Sequence, residues 1–135
     1  MKQFVEALFT EDQFSFCYLI GGDKVDYDME RIETKGANIV VATPGRLFDL
    51  AINKRALSFR KLEFLIMDEA DKLLEQGHEV HLQSLLDTMP KQRRTGLFSA
   101  TMPTQLKNFI KVGMRNPYFV EVRMTEGDIF QQHKD

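Results

Sequence analysis

Short runs of branched and aromatic residues recur along the chain, each trailed by a stretch with helical spacing. Phe14–Ile20 (FSFCYLI), Asn38–Ala42 (NIVVA), Phe64–Met67 (FLIM), Thr95–Ser99 (TGLFS) and Tyr118–Val122 (YFVEV) read as strands. The second, third and fourth are nearly unbroken apolar runs, the pattern of strands covered on both faces. Helical spacing marks Met29–Lys35. It marks Pro44–Asn53 through Leu47, Phe48, Leu50 and Ala51, and Glu79–Met89 through Val80, Leu82, Leu85 and Leu86. It also marks Pro103–Val112 through Leu106, Phe109 and Ile110. Lys2–Phe9 reads as a piece of one more helix. Strand–helix–strand repetition predicts right-handed crossovers. The fold class is therefore α/β, a parallel sheet with helices on both faces.

Ligands of such sheets gather at the carboxyl ends of the strands. Four clusters fall there: Gly21-Gly22, Thr43-Pro44-Gly45-Arg46, Asp68-Glu69-Ala70-Asp71 and Ser99-Ala100-Thr101. All four lie on one edge, so one site could use them together. An acid directly after a buried strand is costly unless it meets a cation. Asp68 is placed to hold Mg²⁺ through water, and Glu69 to orient or deprotonate a water attacking a phosphate. Asp71 could tie its loop to a neighbour, and the hydroxyls of Ser99 and Thr101 are the obvious candidates. Thr43 and Pro44 look like the N-cap and first residue of a helix, with backbone N–H groups suited to phosphate, Arg46 adding charge and Gly45 allowing close approach.

Each cluster also has a plainer explanation. The acids suit the positive end of a helix dipole. Thr43 and Pro44 start a helix whatever they bind. Gly21-Gly22 serves a strand-ending turn. Ser99–Thr101 could cap the helix beginning near Pro103, through Thr101 or Thr104. His78 and His81 stand three apart, not four as on a zinc-binding helix, and read as a surface helix start. Lys91, Arg93 and Arg94 read as a solvated loop.

Composition narrows the class. The chain has 135 residues, room for one domain with a real core. Its net charge of −2 gives no general attraction to nucleic acid, so any such contact must be local. A single cysteine, Cys17, cannot form an internal disulfide and fits a reducing, intracellular compartment. No apolar run approaches a membrane span, and Met1–Phe4 does not begin a signal peptide.

The ordered set Gly21-Gly22, TPGR at Thr43–Arg46, DEAD at Asp68–Asp71 and SAT at Ser99–Thr101 resembles the first RecA-like lobe of a DEAD-box RNA helicase. The resemblance covers nearly the whole chain. It implies that ATP and Mg²⁺ are the cofactors, with Asp68 binding the metal and Glu69 positioning the hydrolytic water. It implies that Asp71 contacts Ser99 and Thr101, coupling nucleotide state to unwinding. It implies that Gly21, Gly22, Thr43, Pro44, Gly45 and Arg46 grip the RNA sugar-phosphate backbone, so binding should tolerate any sequence. Lys91–Phe98, with Arg115-Asn116-Pro117, is similar to members acting in ribosome assembly. That implies a nuclear or nucleolar protein, or a cytoplasmic one, and a protein cofactor among its partners.

Against that family pattern, no Gly-Lys-Ser/Thr occurs in the chain. The phosphate-binding loop, the adenine-reading segment, the Pro-Thr-Arg-Glu-Leu-Ala-type motif and the second helicase lobe are all missing. The expectation is a partial RecA-like (P-loop NTPase) domain: residues 1–124 the later part of lobe 1, residues 125–135 a polar tail or the start of the interlobe linker. Lacking the phosphate-loop strand, it should carry an apolar slot and an open strand edge beside the strand that ends in Ser-Ala-Thr. It should not hydrolyse ATP alone, because that chemistry needs positioned phosphates. Two rivals remain: a shortened, non-catalytic module binding RNA or a partner, and a DNA-directed relative.

Overall fold

The structure is a computed structural model that describes residues 14–22 and 24–122. The sequence-predicted helix at Lys2–Phe9 and the tail from Thr125 lie outside the described residues. In chain order the elements are β1 (Phe16–Leu19), α1 (Val25–Lys35), β2 (Ile39–Ala42), α2 (Pro44–Phe48, continued by a π-helical turn at Asp49–Asn53), β3 (Phe64–Met67), α3 (Ala70–Glu75), α4 (Glu79–Thr88), β4 (Arg94–Leu97) and α5 (Thr104–Gly113).

Among the described residues all strand pairing is parallel, as the alternation of textures predicts. The strands form two separate ladders. β1 pairs with β2, Phe16 opposite Ile39 through Leu19 opposite Ala42, and β3 pairs with β4, Phe64 opposite Arg94 through Met67 opposite Leu97. The first ladder is set at its start by Ser15 and Asn38. The Ser15 backbone N–H and hydroxyl both donate to Asn38 Oδ1, at 3.0 Å each.

Two apolar clusters hold the ladders. Cys17 and Leu19 of β1 pack with Leu50, flanked by Val25, Met29 and Ile32 of α1. Met67 of β3 packs with Ala70 and Leu74 of α3, Leu82, Leu85 and Leu86 of α4, and Leu106, Phe109 and Ile110 of α5. Burying each large side chain contributes roughly 1.5–3 kcal/mol, so the second cluster carries most of the packing energy. Leu47 lies against both clusters, which makes α2 the bridge between the ladders.

Two expectations need correction. Covering of β3 on both faces is not met: Leu65 and Met67 face the core, but Phe64 and Ile66 are 55% and 60% exposed. Helices α3, α4 and α5 pack with Met67. Tyr118–Val122 is not a strand either. It has no ladder partner among the described residues, and Tyr118 is 91% exposed. A strand is defined by its neighbour, and a β-prone sequence without one stays irregular. Between this segment and β4 runs a cleft of about 880 Å³, lined by Thr95–Ala100 on one side and Pro117–Val120 on the other. Arg94 and Phe98 donate their N–H groups to Glu63 and Met67 of the β3 side. By the alternation of a parallel ladder, the backbone groups of Thr95 and Leu97 then point into the cleft.

Such an edge is a template for pairing. The isolated chain is expected to self-associate in sedimentation velocity as concentration rises, and Val120→Lys is expected to reduce that association. A wild-type chain that stays monomeric at every concentration would contradict the open edge.

Candidate functional site

The site begins where β3 stops. Asp68 follows Met67 into solvent, and its Oδ1 accepts the Glu69 N–H at 3.0 Å. Glu69 stands at φ 49°, ψ 46°, a left-handed conformation that a non-glycine residue adopts at a cost of about 1 kcal/mol or more. This turn lets α3 start at once. The start of α3 is tied to the end of β4, because the Ala70 N–H donates to the Phe98 carbonyl at 3.0 Å.

Asp71 is buried and holds the two strand tips together. Its Oδ2 accepts the Thr101 hydroxyl at 2.6 Å and the Thr101 N–H at 3.0 Å, and its Oδ1 accepts the Lys72 N–H at 3.0 Å. The Asp71 N–H donates to Ser99 Oγ at 3.2 Å, and that hydroxyl donates to the Thr101 carbonyl at 2.8 Å. Thr101, with Lys72 and Ser99, holds the Asp71 carboxyl below the usual carboxylate range. Glu69, exposed, pairs with Lys72 Nζ at 3.1 Å, which raises the Lys72 pKa. An exposed pair of this kind is worth little, so Glu69 can leave it readily.

The other clusters stand at the ends of the first ladder. Gly21 and Gly22 follow β1, and Gly22 has φ 110°, which favours glycine. Thr43 occupies the N-cap position of α2 with Pro44 next, but its hydroxyl makes no capping bond and is left exposed. A methyl group placed on Gly21 or Gly45 would meet nothing within 4 Å, so internal packing does not require glycine at either position. Arg46 departs from a solvent-facing charge: its side chain is 8% exposed, with Nη1 3.4 Å from Oδ2 of Asp28.

Asp28 carried no signal as a site residue, because an acid in the first turn of a helix is ordinary. Its one sequence cue is position: it falls on the stripe Val25, Met29, Ile32 that α1 turns inward. Of the basic run, Arg93 is also turned in, donating to the carbonyls of Pro90 and Gly113, and burial lowers its pKa. Arg94 lies over the Phe64 ring at 5.3 Å. His81 packs on Phe48 at 4.6 Å between ring centroids, and His78 is the N-cap residue of α4. Among the described residues, no three His, Cys, Asp or Glu side chains form a group able to hold a metal ion, and no helix is long and apolar enough to cross a membrane.

The chain matches the DEAD/DEAH box helicase family over residues 1–109. The chain belongs to that family. Among its relatives, the DEAD-box ATP-dependent RNA helicase 18 of Arabidopsis thaliana is 50% identical over 105 residues, covering 78% of this chain and 18% of that protein. The human ATP-dependent RNA helicase DDX55 is 45% identical over 116 residues, covering 82% and 19%. The crystal structure of a DEAD box protein from the hyperthermophile Methanococcus jannaschii superposes with a TM-score of 0.78 at 33% identity, over 85% of this chain and 31% of that one. This DEAD-box chain thus spans about a fifth of the length of the curated relatives it matches.

The Asp71–Thr101 contact sets a pH test for this DEAD-box chain. A depressed folded pKa adds stability that is complete above the unfolded value of about 4 and is lost as pH falls through the folded value. Thr101→Val is therefore expected to lower the melting temperature at pH 7, and the gap to wild type should shrink at pH 3. An equal gap at both pH values would show that the carboxylate does not carry the contact.

Proposed function

We propose that this chain is the later part of the first lobe of an ATP-dependent RNA helicase, one that separates short RNA duplexes or remodels RNA–protein complexes. Residues 1–124 belong to that lobe, and residues 125–135 lead toward a second. The observation that carries the reading is the Asp71 cluster. Buried Asp71 holds Thr101 through its carboxylate and Ser99 through its backbone N–H, across two strand tips, while Asp68 and Glu69 stand exposed immediately before it.

Asp68 suits Mg²⁺ arriving with nucleotide. Its Oδ1 takes the Glu69 N–H and the residue is exposed, and Mg²⁺ commonly takes one or two carboxylates, waters and substrate phosphates rather than a full protein cage. The metal would neutralise charge on the transferring phosphate. Glu69 would orient and deprotonate the attacking water, and Asp71 would pass the state of that side to Ser99–Thr101. RNA would cross Gly21-Gly22 and Thr43–Arg46, where Gly21 and Gly45 leave room for a sugar-phosphate backbone and the exposed Thr43 hydroxyl makes no capping bond. The chain supplies no phosphate-binding Gly-Lys-Ser/Thr, so it does not turn over ATP by itself. The likeness of Lys91–Phe98 to ribosome-assembly members favours nucleolar work with a protein cofactor.

The test places these residues in a full-length relative, in exchange for its own matching segment. There, Glu69→Gln is expected to lower kcat for RNA-stimulated ATP hydrolysis about 10²-fold or more while ATP binding persists. An unchanged kcat would remove Glu69 from the chemistry. RNA binding without ATP hydrolysis by the unmutated chimera would favour a non-catalytic module.

A further inference from the structure

We propose that Asp28 is a positioning residue for the RNA face, and that Arg46 serves that face as a buried strut rather than as a phosphate ligand. The inference rests on the RNA reading of Gly21-Gly22 and Thr43–Arg46. Asp28 is 0% exposed, and neither carboxylate oxygen makes a hydrogen bond. The cation it faces is the Arg46 guanidinium, 3.4 Å away and itself nearly enclosed.

A buried ion pair is a poor means to stability, since well-packed apolar residues of similar volume often serve equally well. It does fix geometry, and this pair joins two particular elements. Asp28 lies on α1, which opens just beyond Gly21-Gly22. Arg46 lies in the first turn of α2, directly after Thr43 and Gly45. The pair thus connects the two loops that form the proposed RNA face, and it does so from beneath. With its guanidinium drawn inward, Arg46 leaves the surface to the Thr43 hydroxyl and to the open backbone at Gly45. The planar fork of arginine suits a strut; lysine would place a mobile point charge in the same space.

The test is RNA affinity as a function of salt, with single-stranded oligouridylate as the probe. A side chain that neutralises one phosphate contributes about 0.7 to the slope of log affinity against log salt on single strands. The double variant Asp28→Leu with Arg46→Met replaces the pair by apolar groups and should keep the fold, checked by its melting transition. The expected result is an affinity loss of roughly fivefold or more with the salt slope unchanged, and Arg46→Lys, with Asp28 kept, should also lose affinity. A slope smaller by about 0.7 in the double variant would make Arg46 a phosphate ligand and overturn the proposal. Unchanged affinity and slope would also overturn it, leaving the RNA reading intact. A wild-type chain that binds no oligouridylate would remove the RNA reading itself, and this role with it.

Discussion

The Asp71 carboxylate is the contact on which the arrangement of the site depends. β3 and β4 are joined by a ladder of only four residue pairs, and beyond it the chain must turn into α3 on one side and into the Ser99–Thr101 loop on the other. Asp71 holds that junction through its backbone N–H and both carboxylate oxygens. A buried carboxylate is unfavourable unless fully hydrogen-bonded, and the bonds available to it come from the Ser-Ala-Thr stretch and the start of its own helix. The requirement of one buried charge therefore sets where two loops sit. It also leaves Asp68 and Glu69, whose oxygens need nothing from the interior, exposed at the rim.

The same logic operates in the first ladder with a different outcome. Asp28 is buried as deeply as any of the described residues, yet an arginine, not a hydroxyl, answers its charge. One buried acid lies under each pair of strand ends: Asp71 under Asp68–Glu69 and Ser99–Thr101, Asp28 under Gly21-Gly22 and Thr43–Arg46. Between the two ladders stands α2, whose Leu47 packs into both clusters. The π-helical turn at Asp49–Asn53 interrupts the regular hydrogen bonding of that helix.

Much of this was legible in the sequence because it depends on local pattern. The continuous apolar runs marked β2, β3 and β4. Leu82, Leu85 and Leu86, and Leu106, Phe109 and Ile110, marked the buried stripes of α4 and α5. The reach of Asp71 to Ser99 and Thr101 could be anticipated from their positions at adjacent strand tips. What escaped depends on partners distant in the chain. YFVEV has strong strand character but no neighbour to pair with among the described residues. Arg93 and Arg94 look like solvated cations, yet carbonyls at Pro90 and Gly113 and the Phe64 ring engage them. Thr43 sits where a cap belongs, and nothing in its type foretold that its hydroxyl would make no capping bond. Asp28 looked like an ordinary first-turn acid because its partner lies eighteen residues on, across a crossover.

The central claim is that the strand ends of the first ladder form a nucleic-acid face distinct from the acidic rim of the second. Amide chemical-shift mapping of this chain during titration with single-stranded RNA tests it most directly. The account predicts shifts concentrated at Gly21, Gly22, Thr43, Gly45 and Arg46, with Asp68 and Glu69 little changed. Shifts centred instead on Lys91–Arg94, or spread evenly over the basic surface, would contradict it.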